Sequence, residues 1–203
     1  MVDKEFKQLC QEVYDTQEMS QHDLDEQREI IAKEIRPFSL DIKQCMYDDG
    51  HMYIGVVNTS NDEQAKMGNQ YQPWEIVFFR KAIEHIVGDD DGEIEMATLL
   101  NLREGNSVHQ VRSLVTRLRQ EKWLGASILN DEVFSLGPRV FLELSVFIRE
   151  LGVHECTICH SDVLQGVRCK TGDCATRVHE FCLKEHEANG RAYKCGACRT
   201  PLR

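Results

Sequence analysis

The sequence predicts a mainly helical protein with small β hairpins, and three observations carry the prediction. Apolar residues recur at helical spacing over residues 73–86, 94–102 and 108–118. Short apolar runs around turn residues read as hairpins. Seven of the nine cysteines fall in the last 48 of 203 positions, a segment too short to bury a core of its own.

Charge and hydropathy narrow the class. The formal charge is −10 and the sequence pI about 5.3, so the surface does not attract nucleic-acid phosphates strongly by itself. No apolar run is long enough to cross a bilayer. Residues 1–36 are polar, without the apolar stretch of a secretory signal, and a reducing compartment is expected.

Residues 1–58 read as a small helix-and-hairpin unit. Phe6, Leu9, Cys10 and Val13 fall on one helical face, and Leu24, Ile30, Ile31 and Ile35 form a second helix ending before Pro37. Residues 38–47 and 51–57 are strand-like around the turn Asp48-Asp49-Gly50. This is an incomplete winged helix. Residues 59–72, rich in Asn, Gln and Ser, read as a linker.

Residues 73–151 form a second unit. Pro73 and Trp74 open a helix through Ile76, Val77, Phe79, Ala82, Ile83 and Ile86, which Gly88 and three aspartates stop. A second helix covers roughly residues 94–102. A third follows Asn106-Ser107, with Val108, Val111, Val115 and Leu118 on one face. Residues 123–128 and 133–136 flank the turn Asn130-Asp131, and three helices with a hairpin make a winged helix. Pro138 then opens a helix through Phe141, Leu144, Ile148 and Leu151 that runs directly into residues 152–203.

That last unit carries Cys156-x2-Cys159, Cys169-x4-Cys174, His179-x2-Cys182 and Cys195-x2-Cys198. Four pairs of soft ligands suffice for two tetrahedral Zn2+ ions, and sets of four cysteines, or three with one histidine, are closed structural sites. Metal binding would then supply most of this segment's folding free energy. The spacing admits both a sequential and an interleaved assignment of ligands. His154, His160 and His186 are nearby alternatives, but His179 repeats the two-residue gap of the Cys pairs. Seven thiolates and two dications take the holo chain to about −13.

Outside this segment the chemistry is sparse. The third helix of 73–151 carries Arg112, Arg117 and Arg119, with Lys122 beyond, at the place where winged helices often enter DNA. The acidic background makes direct DNA binding by the chain alone weak or absent. Cys10 and Cys45 lack a local base and read as reduced thiols. His22, His51, His85 and His109 are scattered. There is no phosphate-binding glycine loop, and residues 88–92 lack the oxygens of an EF-hand.

The order of parts resembles the non-SMC element 1 family, a subunit of the SMC five/six chromosome-maintenance complex. The resemblance covers nearly the whole chain and is most specific at residues 78–86 (FFRKAIEHI), 120–124 (QEKWL) and 156–160 (CTICH). It implies tandem winged helices followed by a cross-brace RING-like domain. Cys156, Cys159, His179 and Cys182 would hold one zinc, and Cys169, Cys174, Cys195 and Cys198 the other. It further implies pairing with a MAGE-type winged-helix subunit, ubiquitin-ligase activity in DNA repair, and a nuclear, chromosome-associated location.

A RING ligase does no covalent chemistry; it holds a ubiquitin-charged conjugating enzyme in a reactive geometry. Ile158 matches the apolar position RING domains present to that enzyme, and Arg199 the arginine that some use to bridge enzyme and ubiquitin. Read plainly, Ile158 packs on the zinc loop and Arg199 is a solvated charge. The chain departs from the RING pattern in lacking a proline within Cys195-Gly196-Ala197-Cys198 and a tryptophan after Cys182. Its N-terminal unit lacks a leading helix, which leaves the first winged helix partial or completed by the partner. Two alternatives follow: a non-enzymatic assembly subunit whose zinc domain binds proteins, and a PHD-like chromatin reader, for which Tyr193 is suitably placed but the aromatic cage is poor.

Overall fold

The computed structural model describes residues 1–16, 18–59, 70–126, 130, 132–172, 174–188, 190 and 192–202. Helices α1 (Asp3–Val13) and α2 (Gln21–Ile35) precede an antiparallel hairpin of β1 (Leu40–Met46) and β2 (Met52–Asn58). The register runs from Leu40 opposite Asn58 to Met46 opposite Met52. Ser20 and Asp23 start α2 with a reciprocal capping box. A 3-10 turn over Arg36–Phe38 follows where Pro37 ends the helix.

Phe6, Cys10, Leu24 and Ile54 form a small core here. The predicted apolar faces are wider than what is covered: Leu9 is 46% and Val13 69% exposed, and Ile30 and Ile31 also face outward. A hairpin only two strands wide, about 10 Å across, shields one narrow stripe of each helix. Phe38 lies in the 3-10 turn and is exposed, not in the strand.

The next unit runs α3 (Pro73–Gly88), β3 (Ile94–Glu95), α4 (Met96–Asn101), α5 (Val108–Gln120), β4 (Leu124–Ala126) and β5 (Val133–Leu136), with the sheet ordered β3-β5-β4. Proline occupies the first turn of α3, where its missing N–H costs nothing. Ser107 caps α5 in a box with Gln110. Residues 94–95, expected to begin a helix, are a strand because Ile94 pairs with Phe134 across the sheet. Val108 and Val77 are exposed, while Leu114 and Phe78 are buried. The Asn130-Asp131 turn falls partly outside the described residues, although Asn130 accepts the Val133 N–H at 3.1 Å.

The final predicted helix is two, α6 (Pro138–Glu143) and α7 (Ser145–Glu150). Leu144 between them leaves helical geometry at φ −113°, ψ 20°. Residues 60–69 of the expected linker lie outside the described residues, but Tyr71 at its end is buried and donates its hydroxyl to Glu121 at 2.8 Å.

The main core crosses the expected boundaries. Trp123 and Phe79, edge to face at 5.7 Å, sit in it with Cys45 and Val57 from the first hairpin and Val153 and Leu164 from the terminal segment. That segment adds the pairs β6 (His154–Glu155) with β7 (Asp162–Val163) and β8 (Val167–Arg168) with β9 (Arg177–Val178), then α8 (Glu180–Ala188). Among the described residues, no helix is long and apolar enough to cross a membrane.

Candidate metal centre

Two turns of the same construction lie at opposite ends of the terminal segment. In the first, Cys156 N–H donates to the Ser161 carbonyl at 2.8 Å and His160 N–H to the Cys156 carbonyl at 2.9 Å. In the second, Cys195 N–H donates to Thr200 at 2.8 Å and Arg199 N–H to Cys195 at 3.0 Å. His160 and Arg199, each just after a second cysteine, have φ of +61° and +64°. This left-handed residue closes the knuckle and aims both thiols of the pair inward.

The two knuckles serve different clusters. Cys156, Cys159, His179 and Cys182 bring their donor atoms within 4.8 Å of one another, as do Cys169, Cys174, Cys195 and Cys198. In the first cluster, His179 Nδ1 lies 3.3 Å from Cys159 Sγ and 3.8 Å from Cys182 Sγ. In the second, Cys169 Sγ is 3.4 Å from Cys198 Sγ, and Cys174 Sγ 3.5 Å from Cys195 Sγ. A tetrahedron of thiolates about 2.3 Å from zinc has edges of about 3.8 Å, so both sets fit the ion. His154, His160 and His186 lie outside both clusters.

The electrostatics of the donors call for a cation. Without one, the Cys156 thiol falls to about 3, chiefly because Cys159 hydrogen-bonds to it, and Cys159 is pushed up for the same reason. Burial pushes Cys182 to about 11. Cys198 falls to about 5, mainly through its bond with Thr171. In the first cluster the Cys156 thiolate thus opposes ionisation of Cys159 and Cys182, and a dication would remove that opposition. The clusters are positioned to hold two structural Zn2+ ions, with all four positions of each taken by protein.

Beyond the donors, His179 Nε2 faces the Asp162 carbonyl at 3.2 Å and the Asp48 carboxylate at 3.6 Å. Asp162 is itself gripped by Arg149 of α7 at 2.6 Å. Burial raises the Asp48 carboxyl, while hydrogen bonds from the Gln165 and Leu164 N–H groups and the nearby His179 pull it back down. Neither Asp48 nor Arg149 was legible as a site residue. Aspartate is ordinary in a hairpin turn, so nothing local marks Asp48.

Ile158 is half-buried against the cluster core, and Arg199 is exposed on the second knuckle. Phe181 is 44% exposed, turned outward by α8 beside the first hairpin. Tyr193 is occupied: its hydroxyl lies 2.6 Å from Thr157 Oγ1 and its ring meets His186 edge to face.

The basic helix is occupied too. Arg112 pairs with Glu132 at 3.3 Å and Arg117 with Glu75 at 2.7 Å, and the Arg119 guanidinium lies over the Phe134 ring. Cys10 and Cys45 are buried, and burial raises the Cys45 thiol to about 12, far from a nucleophile.

A helical body ending in two interleaved Cys/His clusters defines a RING-like zinc-binding protein, and a RING-like domain family matches residues 156–198. The chain belongs to the family described as "Nse1 non-SMC component of SMC5-6 complex", which matches residues 2–108. A "Non-structural maintenance of chromosomes element 1 homolog" of Rattus norvegicus is 31% identical over 159 residues, covering 74% of this chain and 58% of its own length. The Homo sapiens homologue is 30% identical with the same coverage. The Schizosaccharomyces pombe protein is 27% identical, covering 75% of this chain and 65% of its own length. The chain therefore spans under two thirds of these relatives. A solved chain titled "Nse1-Nse3-Nse4 complex" shares the fold, with TM-score 0.76 and 24% identity over 96% of this chain and 85% of that one.

Proposed function

We propose that the chain is a RING-type ubiquitin-ligase subunit of the SMC five/six complex, acting in chromosome maintenance and DNA repair in the nucleus. The observation that carries this is the cross-brace: two interleaved closed clusters, the first knuckle presenting Ile158 and the second Arg199. With every metal position filled by protein, zinc offers no open site for catalysis, and the domain acts by positioning a charged conjugating enzyme. The eight clustered residues hold zinc, Ile158 contacts the enzyme, and Arg199 reaches toward ubiquitin.

In this reading residues 1–58 are a winged-helix-like unit, 73–151 a winged helix, and 152–203 the RING-like domain. The body docks on a MAGE-type winged-helix subunit, and the solved relative's name, an Nse1-Nse3-Nse4 complex, supports assembly with other subunits. An assembly role without catalysis is the second reading, favoured by the terminal domain sharing Val153 and Leu164 with the main core. A chromatin reader is disfavoured because Tyr193 is already engaged.

The test is discharge of ubiquitin from a panel of charged conjugating enzymes by the purified chain, with and without the MAGE-type partner. Acceleration reduced about tenfold or more by Ile158→Ala, with zinc content retained, is the expected result; a tenfold loss corresponds to about 1.4 kcal/mol of contact energy. No acceleration under any condition would leave the assembly role.

A further inference from the structure

We infer that Asp48, in the first hairpin turn, is a positioning residue for the zinc site formed by Cys156, Cys159, His179 and Cys182, so that the N-terminal unit completes the outer shell of one zinc and not the other. The inference rests on the reading of these residues as zinc ligands.

The turn between β1 and β2 lies against three separate pieces of that site. Met46 N–H donates to Ser161 Oγ at 3.3 Å, two residues after Cys159. Asp48 receives the N–H groups of Leu164 at 3.4 Å and Gln165 at 3.2 Å, lies 3.6 Å from His179 Nε2, and is within reach of the Arg177 charge. The Asp48 side chain is only 6% exposed. Gly50, at φ +82°, lies so close to Phe181 that an added Cβ would come within 3.1 Å of it. Phe181 stands between His179 and Cys182. One turn therefore touches the chain just after the first ligand pair and at the second pair.

The chemistry of the contact is directional. His179 faces the thiols through Nδ1, which leaves Nε2 as the protonated nitrogen. Its proton points to the Asp162 carbonyl, with the Asp48 carboxylate beside it. A carboxylate there fixes the tautomer and the ring plane and makes Nδ1 a better donor to the metal. The second cluster is supported otherwise. The hydroxyls that bond its thiols, those of Thr171, Thr176 and Thr200, belong to the terminal segment itself. Arg168 beside Cys169 does reach the helical body, but through Asp90, whose side chain is 92% exposed.

The experiment uses the full chain loaded with zinc, and separately with Co2+, in wild-type, Asp48→Ala, Asp48→Asn and Asp90→Asn forms. Release of metal to a chromogenic chelator is followed in time. The d–d bands of cobalt distinguish the site with one histidine from the four-cysteine site. Wild type should bind two ions; failure to do so would refute the zinc-ligand reading itself.

Given two ions, Asp48→Ala should speed release from the histidine-containing site roughly 10- to 100-fold, the range for loss of an outer-shell partner. The four-cysteine site should be unchanged. Asp48→Asn keeps an acceptor for Leu164 and Gln165 but loses the charge facing His179, and should fall between. Asp90→Asn should match wild type at both sites. A perturbed cobalt spectrum at the histidine site alone would support the assignment. Release from both sites accelerated equally, or from neither, would overturn it.

Discussion

His179 is where the site's chemistry and its architecture meet. One ring nitrogen faces two thiols at 3.3 and 3.8 Å, and the other faces a carbonyl and a carboxylate. The gap of two residues to Cys182 singled it out from three neighbouring histidines. Which nitrogen meets the metal was not legible, because it depends on where the ring's far edge is anchored. Trp123 is the residue on which the body turns: fully buried, edge-on to Phe79, with the Arg139 guanidinium 4.2 Å over its ring. Its replacement by alanine should cost about 3–5 kcal/mol, measured by urea unfolding of the zinc-loaded chain, since the surrounding helices can only partly collapse into the void. A loss under about 1 kcal/mol would show that the site repacks.

At the scale of elements, helices followed periodicity and caps, and strands followed long-range pairing. Ser107 marks a helix start in the sequence and the structure places it at the cap of α5, while the capping box of Ser20 on α2 is a finding of the structure. Ile94 and Glu95 continue an apolar pattern that reads as helix, yet become a strand because β5 offers an unpaired edge. The exposure of Val13 and Leu9 has the same kind of cause: periodicity reports a face that can be buried, not whether a neighbour covers it. Helix α5 carries the arginines of a DNA reader, but Glu132, Glu75 and the Phe134 ring already engage them. The full chain alone should therefore bind a short DNA duplex no tighter than about 10 μM at physiological salt, as read by fluorescence anisotropy. Submicromolar binding would mean these pairs open at little cost.

At the scale of the whole molecule, zinc and the apolar core share the work of holding the chain. Cluster cysteines supply four of the eight buried residues described in the terminal segment's own core, while Val153 and Leu164 tie the segment to the main core. Stripping zinc with a strong chelator should abolish hydrogen-exchange protection over residues 154–202 and leave Phe78, Phe79 and Ile83 protected. Protection of the turn around Asp48 should fall with the terminal segment, since its buried carboxylate would lose its partners. Uniform loss of protection throughout the chain would show a single cooperative unit instead.

By itself the sequence determined what is local. Ligand types and spacing announced two zinc ions, helical periods and caps announced the helical body, and three short stretches pointed to the family. These are legible because a knuckle, a cap or a helical face is built from residues within a few positions of one another. Spacing left open how the four ligand pairs divide between two clusters, a division the family resemblance implied and the structure bears out; tertiary structure alone decided which helical faces are covered, and that Asp48 stands behind His179, 131 positions away. Such contacts depend on how distant segments pack, and no spacing along the chain encodes that.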